Sequence, residues 1–166
     1  MTTMTTVAIR IVAYGTPGPQ GSKTAKGRNP RTGHAILVES SKKVKPWRAA
    51  VESAALLALH ELSRDVRAAF PLDCPIAGRF VFTLPKPKSA PKRTRTWPMR
   101  YPDTSKLLRS TEDALTKAGV WADDARIVEF DRLAKVYPGE DPEALDRPGV
   151  VIVLRRVTDG LAVPHV

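Results

Sequence analysis

Three acidic residues, Asp103, Asp123 and Asp124, are the side chains of this sequence whose type and spacing could do chemistry. They bracket the stretch PDTSKLLRSTEDALTKAGVWADD, residues 102–124. Carboxylates brought within a few ångströms of one another repel, and stay ionised together only where a cation neutralises them. Mg2+ is a hard ion that takes such oxygens and keeps several of its waters. Beside a phosphodiester it activates an attacking water and stabilises the developing charge. A lysine or arginine on the same surface would neutralise the transition state at phosphorus, and Lys106 and Arg109 are the candidates. The plainer alternative is that Asp103 caps a helix and Asp123–Asp124 form a polar turn.

A helix must position these groups. Thr104 or Ser105 can cap it, since either hydroxyl can accept an orphan backbone N–H. Leu107, Leu108, Thr111, Leu115 and Ala118 recur at spacings of three and four, which predicts one buried stripe. Lys106, Arg109 and Asp113 fall on another stripe, where Asp113 is expected to pair with Arg109 one turn earlier. Gly119 is the expected stop, because glycine takes positive φ without a Cβ penalty. A helix of about four turns leaves the chain room to double back, so that Asp103 and Asp124 come together.

The chain has 166 residues, enough for one domain with a real core. Its 27 Lys and Arg against 17 Asp and Glu leave a formal charge of +10, which favours a polyanionic partner. The single cysteine, Cys74, excludes an internal disulfide and a multi-cysteine zinc site. No apolar run approaches the roughly 20 residues of a membrane span. The N-terminus shows no secretory signal, and a reducing cytoplasm fits.

Strands are predicted at Val7–Tyr14, Ala35–Val38, Arg79–Leu84, Arg126–Tyr137 and Val150–Leu154, the last as a central strand. A helix is predicted from Val44 to about Arg64, with Pro46 in its first turn. Lys42, Lys43, Lys45 and Arg48 crowd that helix start, where cations oppose the helix dipole; they read as a ligand site or as a solvated turn. Gly15–Gly21 must be irregular. Ser22–Arg31 reads as a basic hairpin tip or mobile loop, with Lys23, Lys26, Arg28 and Arg31 as phosphate contacts or solvated charges. Pro85–Arg100 holds four prolines, six basic residues (Lys86, Lys88, Lys92, Arg93, Arg95, Arg100) and no acid, and is expected to be a mobile arm beside Asp103. Such an arm would bind a phosphate backbone without regard to sequence. Trp97 within it is expected to pack the loop rather than stack on a base. Residues after Val157 are expected to fray. The order strand, hairpin, helix, strand, helix, strand, strand predicts an α+β fold, a mixed sheet with two main helices.

Asp103, followed by DALTKAGVWADDARIV from Asp113 to Val128, resembles the RusA family of Holliday-junction resolvases. GTPGPQGSK and VESSKKVKPW are similar to segments of its phage-encoded members. The resemblance implies a homodimeric, Mg2+-dependent endonuclease that cuts four-way and other branched DNA in a bacterial cytoplasm. Mn2+ is the second metal expected. By position Asp103 and Asp124 match catalytic, metal-binding aspartates, Asp123 the neighbouring acid, and Arg109 an essential lysine; Lys106 is the second cation at the site. Ser105 stands where the family has a metal-binding carboxylate, so the site has one negative charge fewer. A second expectation follows: a branched-DNA-binding protein of the same fold with weakened cleavage.

Overall fold

Alternation along three strands builds the core. Ile9, Ile11 and Ala13, then Ile76, Phe80 and Phe82 with Gly78 in the gap, then Val150, Ile152 and Leu154 fall on alternate positions and are buried together, because successive strand side chains point to opposite faces. The computed structural model describes residues 7–21, 23–39 and 42–157. Strands β1 (Val7–Tyr14), β4 (Ile76–Thr83), β5 (Ile127–Val136) and β6 (Gly149–Arg156) form one sheet in the order β1-β6-β4-β5. β6 is antiparallel to both neighbours, whereas β4 and β5 are parallel. A parallel pair needs a long crossover, and here it carries the helix that begins beside Asp103. The expected α+β class, with a mixed sheet and two main helices, is observed.

Helix α1 (Val44–Glu61) buries Val44, Trp47, Val51 and Ala55. The short helix α2 (Arg64–Arg67) follows it. Helix α3 (Thr104–Lys117) buries Leu107, Leu108, Ser110, Thr111, Ala114 and Leu115. The Trp47 indole N–H donates to Thr111 Oγ1 at 3.1 Å, and Thr111 donates to the Leu107 carbonyl at 2.8 Å, which locks α1 to α3. Losing the Trp47 ring would cost about 3–5 kcal/mol.

The irregular GTPGPQG segment is wedged between these helices. Pro17, Gly18 and Pro19 are buried, Ser110 Oγ donates to the Gly18 carbonyl at 2.6 Å, and Gln20 N donates to the Lys106 carbonyl at 3.0 Å. A Cβ on Gly18 would lie 2.4 Å from the Lys43 carbonyl oxygen, so only glycine fits there.

Two expectations, on the hairpin and on Trp97, are refined, and two, on the α3 cap and on Asp113, are corrected. Residues Lys23–Arg28 form strand β2, paired with β3 (Ala35–Glu39) in a separate two-stranded sheet, and the hairpin tip is confined to the turn that follows. Asp103, not Thr104 or Ser105, is the N-terminal flanking residue of α3, and no side chain caps it. Asp113 pairs with Arg48 of α1 rather than with Arg109; Arg48 also donates to Gln20 Oε1 at 2.9 Å, so it joins loop, α1 and α3. Trp97 packs its loop only in part: Arg95 lies over its ring at 4.1 Å, and the tryptophan is still 54% exposed.

Residues 85–100 have no helix or strand, as expected of a loop, but the loop is tethered. Lys86 pairs with Glu140, Arg95 pairs with Asp141 at 3.2 Å, and the Thr96 N–H and hydroxyl donate to Glu140 at 3.1 and 3.2 Å. Lys86 and Arg95 therefore hold the protein's own acids rather than standing clear for phosphate. The tail after Val157 lies outside the described residues.

Candidate active site at helix α3 and the turn beyond it

α3 ends where predicted: Gly119 takes φ +76°, and its N–H and that of Val120 bond back to Thr116 and Leu115. The chain then turns over a buried Trp121, whose indole N–H donates to Thr116 Oγ1 at 2.7 Å. Leu72 N donates to the Val120 carbonyl and Ala122 N to the Leu72 carbonyl, at 3.0 and 2.9 Å, fixing the turn from the far side. Asp124 opens a 3-10 turn, Asp124–Arg126, that leads into β5. Asp123 caps this turn, accepting from Ala125 N at 2.8 Å. Arg126 pairs with Asp73 at 2.6 Å.

This anchoring sets Asp124 against α3, where its neighbour is Glu112, a residue the sequence did not single out. The Glu112 carboxyl is pushed up from an ordinary 4.5 to about 7, first by burial, then by the charges of Asp124 and Asp113, with Arg109 pulling the other way. Two carboxyls in one another's field, with no basic partner joined to either among the described residues, behave in this way. The signal was present in the spacing. Ser105, Arg109 and Glu112 stand at i, i+4 and i+7 on one stripe of α3.

The remaining predicted residues lie as follows. Asp103, at the other end of α3, pairs with Lys106 at 3.2 Å. Ser105 is exposed in the first turn, about 10 Å along the axis from Glu112. Arg109 is exposed and makes no ion pair among the described residues. The structure thus sets both Asp124 and Arg109 within the electrostatic reach of Glu112. It does not gather Asp103, Ser105, Asp123 and Asp124 into one cluster, and among the described residues no three acids, histidines or cysteines converge as a metal cage. Mg2+ does not require such a cage: it is commonly held by one or two carboxylates with water and substrate phosphate filling the rest. The Glu112–Asp124 pair fits that description in donor chemistry and in its uncompensated charge.

Of the predicted phosphate contacts, Lys26, Arg28, Lys88, Lys92, Arg93 and Arg100 are exposed. None of these six forms an ion pair among the described residues. Lys23 starts β2, and its side chain is not among those described. Lys42, Lys43 and Lys45 at the start of α1 also stand without carboxylate partners among the described residues, whereas Arg48 is engaged by Asp113. No helix among the described residues is long and apolar enough to cross a membrane.

A comparison with curated proteins finds no match. The model of one protein family, Endodeoxyribonuclease RusA, matches residues 17–145. That span runs from the wedged proline–glycine loop through α1, β4, the tethered basic loop and α3 to the acidic loop after β5. It includes every element that places Asp103, Arg109, Glu112 and Asp124. The match covers most of the chain, and with it the chain belongs to the RusA endodeoxyribonuclease family.

Proposed function

We propose that this protein is a divalent-metal-dependent endonuclease that hydrolyses phosphodiesters in four-way junctions or other branched DNA. The observation that carries this reading is the Glu112–Asp124 pair, which the fold holds together with no basic side chain paired to either. Asp124 and Glu112 are the acids that would hold Mg2+ or Mn2+, with water and substrate phosphate completing the shell. Asp103, Ser105 and Asp123, which the fold does not bring to that pair, would act from the ends of α3 and of its turn on the substrate rather than on the same ion. A bound ion would supply charge neutralisation and a more acidic water.

The chain's own residues do the rest. Arg109, on the Glu112 stripe, offers a permanently protonated guanidinium to a phosphate oxygen and to the charge that grows there in the transition state. Lys106 orients Asp103. Lys88, Lys92, Arg93 and Arg100 of the basic loop, and Lys26 and Arg28 on the hairpin, would bind the backbone in a salt-dependent, sequence-independent way. A two-fold dimer would set two such sites on opposite strands. The protein would act in the cytoplasm of a bacterial cell, on recombining or phage DNA.

The reading is tested by incubating the purified protein with a synthetic four-way junction, with EDTA and with Mg2+ or Mn2+ added. Paired nicks that require metal are expected. Absence of cleavage on junctions, flaps and forks in both metals would remove the nuclease reading. One observation favours a second reading, that of a branched-DNA-binding protein with weakened cleavage. Ser105 is neutral and Lys106 already neutralises Asp103, so the first turn of α3 attracts a cation less than a second carboxylate would. Ser105→Asp separates the two: a large gain in metal-dependent nicking marks a weakened enzyme, and little change marks a site that works through Glu112.

A further inference from the structure

Between the tethered loop and α3, three large side chains point into solvent from alternate positions. Trp97 is 54% exposed, Met99 87% and Tyr101 68%. Their backbone is held in place. Pro98 between them is buried, Met99 N bonds to the Trp97 carbonyl at 2.8 Å, and Lys135 Nζ donates to the Arg100 and Pro102 carbonyls at 2.8 and 2.9 Å. Arg95 lies over the Trp97 ring at 4.1 Å, and the tryptophan keeps more than half of its surface in solvent. Beside it is a cleft of about 450 Å3 lined by Pro87, Pro91, Trp97, Met99, Arg100 and Tyr137. Fixing three apolar side chains in water is unfavourable unless something covers them.

We infer that this strip is a stacking platform for unpaired nucleobases at the branch point, an inference that rests on the DNA-cleaving reading of the adjacent site. Three features favour bases as the occupant. Aromatic faces bearing an arginine bind single-stranded bases whatever their sequence, because every base has a π-face. Arg100 lines the cleft beside the strip, and neither it nor Lys88, Lys92 and Arg93 of the same loop forms an ion pair among the described residues, so the loop suits a phosphate backbone rather than a neutral or basic protein surface. Tyr101 is two residues from Asp103, so a base held here keeps its own strand next to the α3 site. The platform would therefore select DNA that can open at a branch, and would position the strand to be cut.

Trp47 and Trp121 are buried, so Trp97 is the exposed tryptophan of the three and reports directly on its own occupancy. Iodide quenching of tryptophan fluorescence is measured with the Asp103→Asn protein in EDTA at fixed salt. The ligands are a short single strand, a four-way junction and a plain duplex of equal phosphate number. The single strand and the junction are expected to shield Trp97, and the duplex is not. Trp97→Ala with Tyr101→Ala should weaken junction and single-strand binding about 10- to 100-fold while changing duplex binding less than about three-fold; Trp97→Phe should recover most of the loss. Unchanged junction binding in the double variant, or an equal loss on all three ligands, overturns the platform but leaves the nuclease reading standing. Failure to bind any DNA overturns both. Shielding of Trp97 that rises with protein concentration in the absence of DNA identifies a contact between copies and also overturns it.

Discussion

Asp141 and Glu112 are both carboxyls set against the body of the fold, and their pKa values are shifted in opposite directions. Asp141 has a side chain only 2% exposed and is held down to about 2, first by hydrogen bonds from Arg132, which donates at 2.9 and 2.6 Å. Its neighbours follow the same rule. Hydrogen bonds from Arg132 and Arg79 lower Glu143, and those from Lys86 lower Glu140. Arg79 and Thr83 lie on the sheet face opposite the helices, and Glu143 and the Leu145 N–H bond to them at 2.6 and 2.9 Å, so the acidic loop 138–148 closes that face. Glu112 is also screened from water, but Asp124 is its main charged neighbour and it rises to about 7. An acid with cations built in is structural; an acid set against another acid lacks its counter-charge until something brings it. On the proposed reading, the acids of the first region serve architecture and those of the second serve chemistry.

The largest effect should separate the regions outright. Asp124→Asn is expected to lower metal-dependent junction cleavage by about 100-fold or more, the scale of losing one preorganised charge at a reacting phosphate. Thermal stability should change little, because Asp124 makes no ion pair among the described residues. Asp141→Asn should do the reverse. It leaves Arg132 and Arg95 facing a neutral amide and should cost about 2 kcal/mol, below the full value for a buried pair because both arginines reach water. Cleavage per folded molecule should stay within about three-fold. Denaturant melts and single-turnover nicking of the two variants give the comparison; if Asp141→Asn abolishes cleavage in folded protein, the division fails.

Acid should act on the structural region alone. The folded pKa of Asp141 is depressed, so its contribution is fully present above the unfolded value near 3.8 and is lost as pH falls toward 2. Between pH 4 and pH 2.5 the wild type should therefore lose more stability than Asp141→Asn, and the two melting curves should converge. Parallel curves would show that the arginines do not hold this carboxylate.

How much of this could be read beforehand depended on the range of the interactions. Gly119, the buried stripe of α3 and the central place of β6 follow from local pattern, and the structure matches them. Local pattern pairs Asp113 with Arg109, because a helix neighbour is visible in sequence; its partner in the structure, Arg48, lies on another helix 65 residues away. The basic loop looked unanchored for the same reason, since Glu140 is 54 residues from Lys86. GTPGPQG reads as irregular, but nothing in it reports that α1 and α3 close around Gly18. Glu112 was hidden differently. On a helix surface a glutamate is ordinary, and only the turn fixed by Trp121 and Leu72 puts Asp124 beside it.

Glu112→Gln gives the smallest effect and the finest distinction. In metal-free buffer the folded protein keeps a proton on Glu112 up to about pH 7, whereas the unfolded chain releases it near 4.5. Between those values the native state binds more protons, so wild-type stability should fall as pH rises through that window. Glutamine does not titrate, and the variant should lack this fall. Because Glu112 is only half-buried, solvent screening reduces the difference to roughly 1 kcal/mol, or about 2–4 °C in Tm. The variant should melt higher than wild type at pH 8 and together with it below pH 4.5. Asp124→Asn should show the same sign at smaller size, since it removes one of the charges that raise Glu112. If Glu112→Gln instead melts lower at pH 8, the glutamate is paired there with a cation and belongs with the structural acids.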